Sequence, residues 1–175
     1  MKRVHFYEGT KPYFLYTLPF RKYLRQDEFE EEWVNSLHIA TLVERHSRLV
    51  MLIKVPSKDT TTVVAALSKH VLKLPATLRR SLTWDRGLEM AKHKSFTVDT
   101  KVKVYFCDPQ SPWQRGSNEN TNGLLRQYFP KKTDLSVYSQ VHLNKIALRL
   151  NQRPPETLGF QTPASKLQAS VASTG

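Results

Sequence analysis

The alternation of apolar and polar positions sharpens at residue 37. "LHIATLVER" and "RLVMLIKVP" are two apolar, β-branched runs on either side of His46-Ser47, and they predict a β-hairpin. The second run is nearly continuous in apolar residues, as expected for a strand covered on both faces. Asp59 stands where it can cap a helix over "TTTVVAALSKHVLKL", with Val63, Leu67, Val71 and Leu74 as the core stripe and Pro75 as the stop. "TLRRSLTW" spaces Leu78, Leu82 and Trp84 evenly, predicting a strand that runs straight into Asp85-Arg86-Gly87. A short helix over "LEMAKHK" is expected next. "KVKVYFC" then alternates, with Val102, Val104 and Phe106 on one face and Lys101, Lys103 and Tyr105 on the other. A polar stretch opens a helix near Glu119. A long helix follows from Ser136 to Asn151, its apolar face read as Val137, Val141, Ala147 and Leu148 with Leu143, Ile146 and Leu150 beside them, and Pro154-Pro155 ends it.

The two ends carry weaker patterns. Residues 1–33 are rich in Tyr and Phe, show neither a period of 2 nor one of 3.6, and are expected to be irregular. The tail from 165, "SKLQASVASTG", is small and polar and is expected to be disordered. Between them, residues 34–164 form the predicted domain. Its order of strand, strand, helix, strand, helix, strand, helix, helix predicts a mixed α/β sheet with helices on its faces. That architecture hosts many activities, so function must be argued from a site.

Composition narrows the partner. The 175 residues suit one domain with a real core, and a formal net charge of +12 points to an anionic partner, nucleic acid first. A merely soluble basic protein is the alternative on charge alone. Asp27, Glu28, Glu30, Glu31 and Glu32 hold five of the fifteen carboxylates, the pattern of a solvated face or of a link to a basic patch. The lone cysteine, Cys107, excludes an internal disulfide and a cysteine-based metal site and suits a reducing interior. "PYFLYTLPF" is apolar but short and is broken by Pro12 and Pro19, so neither a membrane span nor a signal peptide is expected.

Two acids stand out. Asp85 falls at the carboxyl end of a predicted strand, where active groups of open α/β sheets collect; taken alone it reads more readily as a turn-initiating Asp before Arg-Gly. Glu119 falls in the first turn of a predicted helix, with Ser117 or Asn118 as N-cap. Alone it reads as a favourable partner of the helix dipole, worth about 0.3–1 kcal/mol. Its neighbours argue for more: Asn122, Gly123 and Arg126 follow at i+3, i+4 and i+7 and share its face. An acid among amides and a guanidinium fits a metal-binding carboxylate beside a phosphate-contacting surface. Two such carboxylates suit Mg²⁺ or Mn²⁺, and a pair of ions about 3.5–4 Å apart serves phosphodiester chemistry. His38, His46, His70 and His93 are scattered and form no competing metal pair.

The stretches "HIATLVERHSRLVMLIKV", "TWDRGLEMAKHKSFT", "VKVYFCDPQSPWQRGSNENTNGLLRQYFPKKTDLS" and "LNQRPPETLGFQTPA" resemble bacterial insertion-sequence transposases of the family numbered thirty. These belong to the DDE superfamily together with retroviral integrases. The resemblance covers residues 36–164. It implies a ribonuclease-H-like fold, a five-stranded mixed sheet flanked by helices. It also implies Mg²⁺-dependent cleavage at element ends followed by attack of the freed 3′-hydroxyl on target DNA. The family's second acid matches Asp85 and its third matches Glu119, with 33 residues between them. Arg115, Asn118, Asn122, Arg126, Lys131 and Lys132 are then the expected DNA contacts. The expected partners are DNA, as element ends and target, and a homo-oligomer, with no membrane and no small-molecule substrate. The expected setting is the bacterial cytoplasm, at the nucleoid.

Two departures follow from the same resemblance. The family's first acid sits on its first strand in a Gly-Asp-Leu-like segment about ten residues before "IATLVER". Here that place reads "RQDEFEEEWVNSLH", with Asp27, Glu28 and Glu30 as the candidates. The family's amino-terminal helix-turn-helix region also has no counterpart. Two expectations therefore stand side by side: an integrase-type catalytic core, or a catalytically impaired remnant that binds DNA or dimerises without catalysis.

Overall fold

The computed structural model describes residues 14–17, 38–57, 59–76, 79, 81–84, 93–107, 116–130 and 133–172, with backbone alone at 14–17 and 116–119. The chain order is β1 (Phe14–Thr17), β2 (His38–Glu44), β3 (Val50–Val55), α1 (Thr60–Val71), β4 (Ser81–Trp84), α2 (His93–Thr100), β5 (Lys103–Phe106), α3 (Gly116–Leu125), α4 (Gln140–Asn151) and α5 (Pro163–Ala172). The strands hydrogen-bond in the order β3-β2-β1-β4-β5. β2 pairs antiparallel with both β1 and β3, whereas β4 pairs parallel with β1 and with β5. β1 is thus the middle strand, and the hairpin and the crossover strands hang on either side of it.

Alternation sends the side chains of β2 and β3 into two separate cores. Ala40, Leu42, Ile53, Val55, Leu82 and Trp84 meet α1 and Phe96 of α2 on one face. Ile39, Val43, Val50 and Leu52 meet Leu125 and Phe129 beyond α3, and Leu143, Ile146, Ala147 and Leu150 of α4, on the other. Each fully buried Leu, Ile or Val stabilises the fold by about 1.5–3 kcal/mol relative to exposure. This two-sided burial explains why "VMLIKV" reads as an unbroken apolar run.

Local signals set the helix ends. Asp59 caps α1 by accepting from the Thr62 N–H at 2.9 Å, and Val63, Leu67 and Val71 lie in the core as the spacing predicts. Lys101 takes a left-handed conformation (φ 60°) after α2, and its N–H reaches the Thr97 carbonyl. The hairpin turns through residues 45–47, where the buried Glu44 carboxylate accepts from the His46 and Ser47 N–H groups and the Ser47 hydroxyl.

Several expectations change. A strand, β1, occurs inside the segment read as irregular; its four residues show no period because a central strand needs no polar face. The strand over "TLRRSLTW" is confined to 81–84, with Leu78 outside the described residues. The helix expected over 88–94 falls mostly on residues 85–92, also outside them, and α2 begins at His93. The long helix starts at Gln140, because Ser139 caps it by accepting from the His142 N–H. Its buried face is Leu143, Ile146, Ala147 and Leu150, whereas Val137, Val141 and Leu148 are exposed. The tail from 165 is helical through Ala172: Thr162 accepts from the Ser165 N–H, Pro163 fits the first helical position, and Leu167 packs on the core.

Candidate metal and nucleic-acid site

The site is built around β1 and the two elements that meet over it. β4 pairs with β1 through Phe14↔Leu82, Leu15↔Thr83 and Tyr16↔Trp84, and ends at Trp84. Asp85, the next residue in sequence, lies outside the described residues, as do Arg115, Lys131 and Lys132. α3 contacts β1 and β2. Glu119 is the fourth residue of α3 and so falls in its first turn, while Ser117 and Asn118 lie inside the helix rather than capping it, because α3 starts at Gly116. β4, which leads to Asp85, and α3, which carries Glu119, therefore share one neighbour, β1.

The sheet face beneath α3 is polar near β1. In β2, Ala40 and Leu42 belong to the α1-side core and Ile39 and Val43 to the α4-side core, so Thr41 points toward the α3 and α4 side. The same alternation in β4 puts Thr83 there, since Leu82 and Trp84 point the other way. Thr41 and Thr83 are 0% and 1% exposed, and neither hydroxyl has a hydrogen-bond partner among the described residues. A buried hydroxyl left without a partner costs about 1–3 kcal/mol. These two threonines are buried polar positions that sequence reading did not single out. The available signal was a hydroxyl at an inward position of two otherwise apolar strands, "IATLVE" and "SLTW".

α3 is anchored at its far end. Leu125 and Phe129 are both 1% exposed in the α4-side core. Thr121 is buried, and Asn122 and Arg126 are half-buried, with Asn122 accepting from the Arg126 N–H through its carbonyl. Asn122 and Arg126 thus lie along α3 and its exit, with Asn118 one turn earlier on the backbone. His70 bonds the Ala66 carbonyl one turn back at 2.8 Å, and His93 packs edge-on against Phe106 at 5.1 Å, so both have packing roles. Among the described residues, no group of three or more His, Cys, Asp and Glu gathers.

Among the described residues around β1 there is no group of acids that would hold two ions. β1 reads Phe-Leu-Tyr-Thr and brings no carboxylate to the centre of the sheet. Of the two acids that the sequence reading assigns, Asp85 follows β4 in the chain and Glu119 lies in α3, and two carboxylates suit one hydrated cation. Asp27, Glu28 and Glu30, the first-acid candidates, lie outside the described residues.

The chain belongs to the integrase core domain family, whose profile matches residues 21–112. It is 58% identical over 137 residues to the transposase InsI for insertion sequence element IS30A of Escherichia coli (strain K12), covering 78% of this chain and 36% of that protein. It is 51% identical over 138 residues to the transposase for insertion sequence element IS1086 of Cupriavidus metallidurans, covering 79% of this chain and 41% of the relative. With the transposase for IS4351 of Bacteroides fragilis it shares 38% identity over 133 residues, 76% of this chain and 40% of the relative. The chain thus spans about two fifths of the length of these relatives.

Proposed function

We propose that the chain is the integrase-type core of an insertion-sequence transposase and that it works on DNA in transposition. The ancestral chemistry is metal-dependent phosphodiester cleavage and strand transfer. One observation carries this reading: β4, running into Asp85, and α3, with Glu119 in its first turn, converge on the central strand of the sheet. The strand order, with its antiparallel and parallel halves, supports a ribonuclease-H-like fold. Asp85 and Glu119 are the residues assigned to Mg²⁺ or Mn²⁺. Arg115, Asn118, Asn122, Arg126, Lys131 and Lys132 form the DNA-contacting surface along and beyond α3. The ligands are element ends and target DNA, in the bacterial cytoplasm at the nucleoid. No helix among the described residues is long and apolar enough to cross a membrane.

A second reading, DNA binding without catalysis, is favoured by the composition of β1, which lacks the carboxylate that the first strand of such a core supplies. Both readings share the Asp85–Glu119 pair, and a metal titration tests it. Asp85→Asn and Glu119→Gln are each expected to weaken Mn²⁺ binding at least tenfold, followed by electron paramagnetic resonance of the free ion. Unchanged affinity in both variants rejects the pair as ligands.

A further inference from the structure

Residues 135–155, between Asp134 and Glu156, contain no carboxylate. This stretch includes the whole of α4, and its outward side carries His142, Lys145, Arg149 and, just past the helix end, Arg153. They recur at i+3, i+4 and i+4, so they stand in one row along the helix, and all four are exposed. At 1.5 Å per residue the row is about 16 Å long. A different side of α4 packs on the sheet, through Leu143, Ile146, Ala147 and Leu150.

Helix stability does not account for this row. The helix dipole favours Arg149 in the last turn, but it does nothing for Lys145 at mid-helix and disfavours a cation at His142 in the first turn. Lys145 and Arg149 make no ion pair among the described residues. Asp134, the nearest acid before the helix, is engaged by the Ser136 N–H and hydroxyl. Arg153 donates to the Gln127 side chain at 3.4 Å, next in sequence to Arg126 at the exit of α3. The row therefore starts where the α3 surface ends.

We infer that the row on α4 is a second DNA track, which holds the phosphodiester backbone of duplex running on from α3 without reading its base sequence. This rests on the action on DNA proposed above. Over about 16 Å one strand presents about five phosphates, enough to engage three permanent cations and an imidazole. Val141 and Leu148 are also exposed on the neighbouring arc of α4, so the competing occupant is an acidic protein surface with apolar contacts. Continuity with α3 through Arg153 and Gln127 favours the duplex.

The experiment is binding of the full chain to a fluorescein-labelled duplex of arbitrary sequence, followed by anisotropy between about 50 and 200 mM salt. Lys145→Gln/Arg149→Gln/Arg153→Gln is expected to lower the affinity at least tenfold at the lower salt and to flatten the salt slope by about 3. Lys145→Arg/Arg149→Lys/Arg153→Lys, which keeps the charges, is expected to retain the slope. Lys69→Gln/Lys73→Gln/Lys94→Gln removes the same charge from exposed positions on the α1 and α2 side and is expected to change the slope by less than about 1. An α4 variant with an unchanged slope, or one no different from the α1 and α2 variant, would overturn the inference. So would displacement of the label by poly-glutamate as readily as by unlabelled duplex of equal charge, which would point to an acidic protein instead. Should the triple α4 variant lose its circular dichroism, each single substitution is read in its place, with a slope change of about 1 expected. Failure of the proposed action on DNA shows separately, as a natural chain that binds no duplex even at the lower salt.

Discussion

The clearest single-residue effect lies at the start of α1. Asp59 accepts from Thr62 through both side chain and backbone, and from Ser57, and these bonds pull its carboxyl down from 3.8 to about 2. The charged form is the one being solvated by donors, so the native state prefers it. A carboxyl depressed on folding contributes stability that is complete above its unfolded pKa near 4. That contribution is lost as pH falls through about 2. The expected outcome is an Asp59 titration midpoint near 2 by NMR. A second is that the acid-unfolding curve of Asp59→Asn, which keeps a capping oxygen, is less steep between pH 4 and 2. A midpoint near 4 would show that the cap bonds do not persist in solution. Asp59 was legible because the capping pattern is local: an Asp before three threonines and an apolar stripe needs no distant partner to be recognised. Thr41 and Thr83 were not, because a hydroxyl within an apolar strand acquires meaning only when the sheet shows what lies beside it.

At the scale of elements, β3 is an edge strand whose outward backbone groups are taken up by α4. The Gln140 side chain accepts from the Lys54 N–H and donates to the Leu52 carbonyl. The Asn151 side chain accepts from the Val50 N–H at 2.8 Å and donates to the Val50 carbonyl at 2.9 Å. The two amides stand at opposite ends of a 12-residue helix and imitate a neighbouring strand at three positions, which blunts the edge against pairing with another chain. This is also why the face of α4 could not be chosen from sequence. Val137, Val141 and Leu148 share one stripe, and Leu143, Ile146, Ala147 and Leu150 share another, so both satisfy helical spacing. The choice between them is made by Gln140 and Asn151, which turn inward with Ala147 to meet β3. Gln140→Ala with Asn151→Ala is expected to cost about 2–5 kcal/mol in urea unfolding, since buried backbone groups lose their partners. It is also expected to promote concentration-dependent association on size exclusion. A double variant as stable as the natural chain and with the same elution volume at every concentration would remove the edge-protecting role.

At the scale of the molecule, the hairpin and α1 followed from period, because each is a contiguous apolar pattern. β1 did not, because a four-residue strand is defined by the neighbours on both sides and not by its own spacing. The candidate site rests on a different kind of reading. Asp85 and Glu119 were ordinary by local rules, and the resemblance paired them across 33 intervening residues. What physics adds is the convergence of their elements on β1 and the charge of the whole chain. A formal charge of +12 attracts a polyanion without regard to base sequence, and each basic side chain that neutralises a duplex phosphate releases counterions. The affinity for duplex DNA, measured by fluorescence anisotropy, is therefore expected to fall steeply between 50 and 200 mM salt, with a slope of about −0.9 for each phosphate contact. Arg115→Ala/Lys131→Ala/Lys132→Ala is expected to flatten that slope by about 3 if all three residues touch phosphates. Asn122→Ala removes no charge and is expected to leave the slope alone while weakening binding by a constant factor. A slope unchanged in the triple variant would move the DNA path off the residues that flank α3. The electrostatic surface would then have to be sought among the other basic residues of the fold.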